Sequence, residues 1–190
     1  MIQRAQRRDP AAMRRLIDLH KERLFAFVWR MMRSHHDAEE VCQETFLRAF
    51  AALDTFDTRY RFSTWLFTIA YRLTLNFLRR KKPLLADIDF ATVAAEGQGA
   101  EERCANTEEA QRLKTLVWQA VDRLTPPQRA AVLLFYRQQM GCIDIAEVLD
   151  IPVATVKSHL HRARARLKGI LEPQLLREYS ADRILRGFAG

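Results

Sequence analysis

The sequence predicts an all-α protein made of two small helical domains joined by a flexible acidic linker. Along both halves of the chain, apolar residues recur at the i, i+3, i+4, i+7 spacing of a helix face, and no stretch alternates apolar and polar residues as a half-buried strand does. The 190 residues are 48% hydrophobic and 28% charged, which is a globular composition, and the length allows two small domains.

The formal charge of +8 is distributed unevenly, and this predicts the domain boundaries. Residues 1–83 hold 17 Lys/Arg and 9 Asp/Glu, and residues 112–190 hold 13 and 7. Residues 84–111 hold one basic and seven acidic residues. We interpret 84–111 as a linker, because long unstructured stretches are uncommon inside compact domains. A solvated loop within one domain is the alternative. The predicted domains are therefore 1–83 and 112–171, followed by a C-terminal tail over 172–190.

Composition also indicates the class of protein. An isoelectric point near 9.9 predicts a polyanionic partner. No apolar run approaches the ~20 residues that span a bilayer, so we expect no direct membrane insertion. The first ten residues lack the apolar stretch of a secretory signal, and three scattered cysteines cannot form a disulfide framework. These features predict a cytoplasmic protein.

The N-terminal half predicts three long helices. The first has one apolar face, formed by Met13, Leu16, Ile17, Leu24, Phe27, Val28 and Met31. We predict Asp37 as the N-cap of the second helix, with Glu40 as its reciprocal capping partner. A third helix opens at Ser63 or Thr64 after a polar loop and ends before Pro83.

The C-terminal half predicts a helix-turn-helix. Thr125 is a predicted N-cap with Gln128 as its partner. After this helix come a short helix over 143–149, a turn over 150–152 and a long basic helix over 153–170, which is the helix-turn-helix order. The long helix has a predicted buried stripe, formed by Val153, Val156, Leu160, Ala163 and Leu167. The tail beyond it is either an amphipathic segment that packs on the body or binds a partner, or a poorly ordered end.

The outward face of that long helix has the chemistry of a DNA reader. Its short polar and basic side chains are Thr155, Lys157, Ser158, His159, His161 and Arg162. Such groups donate to and accept from base edges in the major groove. Farther along the helix, Arg164 and its basic neighbours suit phosphates. A basic solvated helix is the alternative, but the turn, the stripe and the polar outward set together favour DNA binding.

Two further segments carry candidate function in the N-terminal half. Glu40, Gln43, Glu44 and Leu47 line one acidic face of a helix in a basic domain, and this favours docking to a positively charged protein surface over a merely solvated face. Residues 56–71 hold six of the 18 aromatics, with arginines between them, a composition that suits single-stranded DNA.

We expect the 56–61 loop, with Arg72 and Asn76, to hold a flipped base, and Phe56 and Tyr60 to be its stacking candidates. Phe62 and Trp65 have core spacing, and we assign them mostly to the core.

Four stretches, over 5–13, 37–50, 62–80 and 124–164, occur in an order that resembles bacterial RNA polymerase sigma factors of the sigma-70 family, extracytoplasmic-function (ECF) type. The resemblance covers 5–83 and 111–170, and the segment DAEEVCQETFLRAF is its closest match. It implies a region 2 helical bundle in the N-terminal domain and a region 4 helix-turn-helix in the C-terminal domain.

The resemblance also implies partners. The clamp of the largest polymerase subunit would bind the set Glu40, Gln43, Glu44, Leu47 and Arg48. The flap of the second-largest subunit is a further expected partner. Single-stranded −10 DNA would contact Phe56, Arg59, Tyr60, Arg61, Trp65, Arg72, Asn76, Arg79 and Arg80. Double-stranded −35 DNA would contact Thr155, Lys157, Ser158, His159, His161, Arg162 and Arg164. Members of the family are commonly restrained by an anti-sigma factor, often membrane-anchored.

The sequence departs from the family pattern at several positions. Arg8 stands where glycine is usual, and Met13 where phenylalanine is usual. Asn76 replaces a common aspartate, Cys142 replaces an aromatic, and His161 is an unusual base-contact residue. The base preferences of relatives therefore do not transfer to this chain.

Two other functions compete with this interpretation. Five histidines and three cysteines raise the alternative of an enzyme or metal protein, but no pair has the spacing of zinc ligands, so we expect no catalytic residues, metal or cofactor. A stand-alone helix-turn-helix regulator would use only 124–170 and would leave the 37–50 face unexplained. That regulator would bind duplex DNA without polymerase.

Overall fold

The computed structural model describes residues 1–81 and 108–188, with side chains described for 1–81 and 111–175. All regular structure in these ranges is helical, so the predicted all-α class is confirmed. Most of the predicted acidic linker, 84–107, lies outside the described residues.

The N-terminal half is a bundle of one short and three long helices. They are α1 (Ile2–Gln6), α2 (Pro10–Met32), α3 (His35–Ala51) and α4 (Phe62–Lys81), with a 3₁₀ turn at Leu53–Thr55. The helices α2, α3 and α4 pack against one another around large side chains. Those that are almost fully buried include Leu16, Leu24, Phe27, Met31, Leu66 and Phe67. The predicted apolar face of the first long helix is therefore the core of this half.

The C-terminal half contains the predicted helix-turn-helix. It consists of α5 (Glu108–Asp122), α6 (Pro126–Val132), a π-helical turn (Leu133–Arg137), α7 (Cys142–Leu149) and α8 (Val153–Phe188). The helices α7 and α8 form the helix-turn-helix, joined by Asp150 in a left-handed conformation with φ of 57°. Val156, Leu160 and Ala163 of the predicted stripe are buried, and Val153 and Leu167 are half-buried.

The predicted cap of α3 is wrong. Ser34 is the N-cap, in an extended conformation, and its Oγ accepts a hydrogen bond from the Asp37 amide at 3.4 Å. Asp37 instead lies buried in the first turn, where Lys81 Nζ donates to it at 2.5 Å. Burial acts to raise the pKa of Asp37, but the hydrogen bonds from Lys81 and Ser34 outweigh it and lower that pKa.

Three helix ends also differ from prediction. The helix α4 begins at Phe62, ahead of Ser63. The helix α5 begins at Glu108, inside the predicted linker. The helix α8 runs past Ile170 to Phe188 and includes Pro173, which is surrounded by helix-forming Leu, Arg, Glu and Ala residues. The side chains beyond 175, including most of the apolar tail set, lie outside the described side chains.

The two halves are in contact within the described part of the chain. The helix α4 lies against α7, and α2 lies against α6. One side of α4 therefore faces α3, and another side faces the helix-turn-helix.

Candidate protein and nucleic-acid interfaces

A groove between α3 and α4 gathers the predicted polymerase-binding residues. It encloses about 370 Å³. All five predicted residues line it, namely Glu40, Gln43, Glu44, Leu47 and Arg48. Val41, Leu73 and Phe77 provide apolar lining, and Asn76 and Arg80 stand on the α4 side. The groove therefore combines acidic walls with apolar surface.

The side of the groove formed by α3 is acidic and exposed, and a local ion pair fixes one of its carboxylates. Arg48 Nε donates to Glu44 Oε1 at 2.6 Å, an i, i+4 pair along α3. Leu47 is 65% exposed beside this pair. An exposed leucine among carboxylates suits a protein partner that offers basic and apolar groups together.

Behind this face lies the buried thiol of Cys42. Burial raises the pKa of this thiol to about 12, with the nearby Glu39 adding to the shift. A protonated, buried thiol is unreactive and behaves as a small apolar side chain.

The loop over 56–61 differs from expectation at Phe56. We expected Phe56 to be free to stack on a base, but its side chain is 6% exposed. Its ring centroid lies 4.8 Å from that of Trp65 and 5.7 Å from that of Phe62. Gln6 fixes the loop backbone from α1, since its Nε2 donates to the Phe56 carbonyl at 2.9 Å. Phe56 is a core residue here, while Tyr60 is 60% exposed.

The predicted −10 arginines have different surroundings. Arg59 forms a local ion pair with Asp57 at 2.6 Å. Arg61 and Arg72 instead face acids of the C-terminal half, and Arg72 Nη2 lies 3.4 Å from Asp150 Oδ2. Asn76, Arg79 and Arg80 are exposed at the other end of α4. The residues predicted to hold one flipped base are thus divided, with Arg72 paired to the helix-turn-helix and Asn76 open in the groove.

On the helix-turn-helix, the expected base readers all lie along α8. Lys157, His161, Arg162 and Arg164 are exposed, and Thr155, Ser158 and His159 are half-buried. The His159 Nδ1 atom is buried and has no hydrogen-bond partner among the described residues.

Arg164 is held by neighbours that the sequence did not indicate. Its Nε donates to Tyr136 Oη at 2.8 Å, and its guanidinium lies 5.6 Å from the centroid of the Phe135 ring. No sequence signal pointed to Tyr136, because it comes from the π-helical turn before α7.

The acids that contact α4 were also missed. Asp144 lies on α7, and Asp150 is the C-cap of that helix. Asp150 stood in the predicted turn, but its partner lies 78 residues away in sequence. Only the packing of the two halves brings these charges together.

Within the described residues, no group of three or more His, Cys, Asp or Glu side chains is arranged to hold a metal ion. The described helices also include none with the length and apolar character needed to cross a membrane.

Comparison with known proteins matches both halves. The family model Sigma-70 region 2 matches residues 16–83, and the model Sigma-70, region 4 matches residues 114–167. The ECF RNA polymerase sigma factor SigW of Bacillus subtilis is 32% identical over 177 residues, which cover 88% of this chain and 92% of the relative. The ECF RNA polymerase sigma-E factor of Escherichia coli is 29% identical over 183 residues, or 93% and 95% of the two chains.

Two solved structures have a similar fold. The sigma factor RpoE in complex with the anti-sigma factor NepR from Bartonella quintana gives a TM-score of 0.69 at 24% identity, over 84% of this chain and 96% of that one. CnrH in complex with the cytosolic domain of CnrY gives 0.67 at 23% identity, over 90% and 95%. Since both domains match their family models and SigW aligns along most of the chain, this protein belongs to the ECF RNA polymerase sigma factors, which direct promoter-specific transcription.

Proposed function

We propose that this sigma factor docks on core RNA polymerase through the α3 face of the groove, opens and reads the −10 element with the exposed part of α4 and the loop before it, and reads the −35 element with α8. Polymerase supplies the catalytic chemistry. The groove is the observation that supports the proposal, because Glu40, Gln43, Glu44, Leu47 and Arg48 all line it.

The docking step rests on the charge and shape of the α3 face. Glu40 and Glu44 offer carboxylates, and Leu47 offers apolar area between them. A basic coiled coil such as the clamp of the largest subunit would place its cations on the carboxylates and its apolar residues on Leu47. Docking would remove the apolar area of Leu47 from water, and the surrounding charge pairs would help to exclude solvent from it.

The −10 step rests on groups near both ends of α4. Tyr60 offers an exposed ring for stacking, worth about 1–3 kcal/mol per base. Arg59, Arg79 and Arg80 supply exposed positive charge for the backbone of the single strand, and Asn76 can pair with a base edge. Phe56 and Phe62 are buried and pack against each other, and this contact anchors the loop to the core.

The −35 step rests on α8. Lys157 and His161 are exposed near the start of the helix, where a recognition helix meets base edges. Arg162 and Arg164 follow at positions suited to phosphates, and Tyr136 limits the freedom of the Arg164 guanidinium.

An anti-sigma factor is a further proposed partner. The two solved structures with the same fold are complexes, and RpoE is there bound to an anti-sigma factor. Such a partner would compete for the α3 groove or for the DNA-binding face of α8. A membrane anchor on that partner is an expectation from the family resemblance.

Run-off transcription tests the function directly. Core RNA polymerase is supplied with fragmented genomic DNA, with and without the full chain, and the transcripts are sequenced from their starts. We expect a defined set of starts, each preceded by shared −35 and −10 sequences, only when the chain is present. Duplex DNA binding by the chain alone, with no starts gained, would refute the sigma function and favour a stand-alone regulator.

A further inference from the structure

An arginine of α8 and a tyrosine of the π-helical turn before α7 meet on an exposed surface of the C-terminal half. Arg164 Nε donates to Tyr136 Oη at 2.8 Å, although the two residues are 28 positions apart in the sequence. The Arg164 guanidinium also lies 5.6 Å from the centroid of the Phe135 ring and 5.8 Å from that of the Tyr136 ring. Arg164 is exposed, and so is Tyr136, at 53%. Two neighbouring rings therefore hold a guanidinium that remains accessible.

The π-helical turn explains how Tyr136 reaches this surface. Leu133 and Leu134 are buried, whereas Phe135 is half-buried and Tyr136 is exposed. The first two residues of the turn thus pack into the core, and the next two contact α8 through Arg164. The wide turn therefore sets Tyr136 beside Arg164, and turns of this kind are frequent at functional sites.

The charge of Arg164 is not neutralised by the protein. Arg164 has no acidic partner in the described part of the chain. By contrast, Arg48 and Arg72 are each paired with a carboxylate. Two more exposed cations follow on α8, Arg166 and Lys168. The surface around the pair is therefore positive, which suits an anionic ligand.

The hydrogen bond between Arg164 and Tyr136 leaves donors on both side chains. A guanidinium has only donors, so the Tyr136 oxygen accepts this bond and the hydroxyl proton of Tyr136 stays available. With Nε engaged, the Nη1 and Nη2 atoms of Arg164 have no hydrogen-bond partner among the described residues. These two atoms form an edge that can pair with two oxygens of one phosphate. The pair therefore offers phenolic and guanidinium donors side by side.

The position of the pair on α8 points to the backbone of DNA as the ligand. Lys157, His161 and Arg164 follow the i, i+4, i+7 spacing, so they share one face of the helix. At roughly 1.5 Å of rise per residue, Arg164 lies about 10 Å along the axis from Lys157. The major groove is roughly 12 Å wide. When Lys157 reaches base edges in the groove, Arg164 therefore reaches its border, where the phosphates lie.

We propose that Tyr136 and Arg164 form one composite site for a backbone phosphate of duplex DNA. In this site the Tyr136 hydroxyl donates to the phosphate and, by accepting from Nε, holds the guanidinium so that Nη1 and Nη2 meet the same phosphate. The site deepens the −35 step of the proposed function and rests on it for the DNA role of α8. Because phosphate contacts carry no sequence information, the site fixes the position of α8 on DNA without reading bases.

Duplex binding by the full chain tests the charge that Arg164 contributes. Two fluorescein-labelled duplexes of about 25 base pairs and unrelated sequence are titrated by anisotropy over a series of salt concentrations. R164Q should weaken binding to both duplexes alike and reduce the slope of log affinity against log salt by about 1. The charge-matched control is R123Q, which removes an exposed arginine of the same half and should change the slope less. Equal slopes for R164Q and R123Q would refute the phosphate contact.

The same assay on Y136F tests the hydroxyl, since this change keeps the ring beside Arg164. Y136F should weaken binding to both duplexes about fivefold, because a hydrogen bond to a charged group is lost, and should keep the salt slope, because no cation is lost. R164K keeps the charge but cannot reproduce the fork of the guanidinium. Y136F should therefore cost less affinity in the R164K background, since the two residues act as one site. Unchanged affinity for Y136F, or the same cost in both backgrounds, would overturn the composite site.

A local signal separates this site from the other basic surfaces of the chain. The Arg164 Nε–H resonance, assigned by its absence from the R164Q spectrum, is followed by NMR of the isotope-labelled full chain. It should shift in Y136F, where its acceptor is lost, and also when either duplex is added to the unmodified chain. A resonance that does not respond to saturating duplex would overturn the proposal. None of these measurements uses polymerase, so a failed run-off assay with the Y136F effect intact would refute the sigma function alone.

Discussion

The two sides of α4 show how one basic helix presents different surfaces. On one side, Asn76 and Arg80 line an open groove shared with α3. On the other side, Arg61 and Arg72 are paired with acids of the helix-turn-helix. Arg72 and Asn76 lie only one turn apart, so the boundary between the open and the covered side passes through the predicted base pocket.

The two sides of α4 differ in how far apart in the sequence the members of their ion pairs lie. In the groove, Glu44 pairs with Arg48 four positions along the same helix. On the covered side, Arg72 pairs with Asp150 at a separation of 78 residues. An ion pair within one helix leaves the surface around it open to other molecules, whereas an ion pair between the two halves covers that surface. In the described structure the groove side of α4 is therefore open, while Arg61 and Arg72 on the other side are already paired.

The largest expected effect removes the aromatic support at the start of α4. Phe56→Ala deletes a buried ring that contacts Phe62 and Trp65, and it should lower the free energy of unfolding by about 3–5 kcal/mol. Tyr60→Ala in the same loop should change it by less than about 0.5 kcal/mol, because Tyr60 is exposed. Urea denaturation of both variants measures the contrast. Equal losses would show that Phe56 is not part of the core.

The second-largest expected effect concerns the groove between α3 and α4. E44K/L47D places a cation where a basic partner is expected and a carboxylate where docking would bury Leu47, and it should lower affinity for core polymerase about 100-fold. The chain offers a close control, L19D/E22K, which makes the same two changes three positions apart on an exposed face of α2. Competition binding to core polymerase measures both. The docking assignment fails if the control loses as much affinity as the test variant.

A smaller effect concerns the loop beside the covered side. Tyr60→Ala should reduce promoter opening by about tenfold, since one stacked base contributes about 1–3 kcal/mol. Tyr60→Phe keeps the ring and should open promoters as the unmodified chain does. Permanganate reactivity of thymines in the −10 region measures opening. A defect shared by both variants would place the function in the hydroxyl group and not in stacking.

The helices and their apolar faces could be predicted from sequence because local spacing determines which side of a helix is buried. The outward residues of α8 could be predicted for the same reason. Phe56 could not, because its burial depends on packing against α4 and on Gln6 of α1 holding the loop 50 residues away. The α3 cap was misassigned because Ser34 and Asp37 are both good capping residues, and only the contact of Asp37 with Lys81 decides between them.

Contacts between the domains were also beyond sequence reasoning. Asp144 and Asp150 have no local feature that distinguishes them from ordinary helix and turn acids. Their role depends on how α7 lies against α4.

The left-handed backbone conformation at Arg8 could not be predicted from the residue type either. Arg8 has a φ of 61°, the left-handed conformation that glycine adopts most easily.

The smallest effect is a pH dependence at the covered end of α4. The His20 ring lies 5.3 Å from the Phe62 ring, next to Arg61. Burial, with a contribution from the charge of Arg23, lowers the pKa of His20 below its ordinary value of 6.5. In the unfolded chain His20 takes up a proton near pH 6.5, whereas in the folded chain it does so only at lower pH. The stability that neutral His20 contributes is therefore fully present above pH 6.5 and is lost as pH falls through the folded pKa.

Replacing the ring isolates this contribution. H20Q cannot titrate, so its free energy of unfolding should fall less steeply between pH 7 and 5 than that of the unmodified chain, as measured by urea denaturation at each pH. H161Q, which removes an exposed histidine from α8, is the control for the loss of one histidine. Parallel pH profiles for the unmodified chain and H20Q would mean that His20 is as solvated when folded as when unfolded. In that case the aromatic cluster at the start of α4 would not extend to the His20 ring of α2.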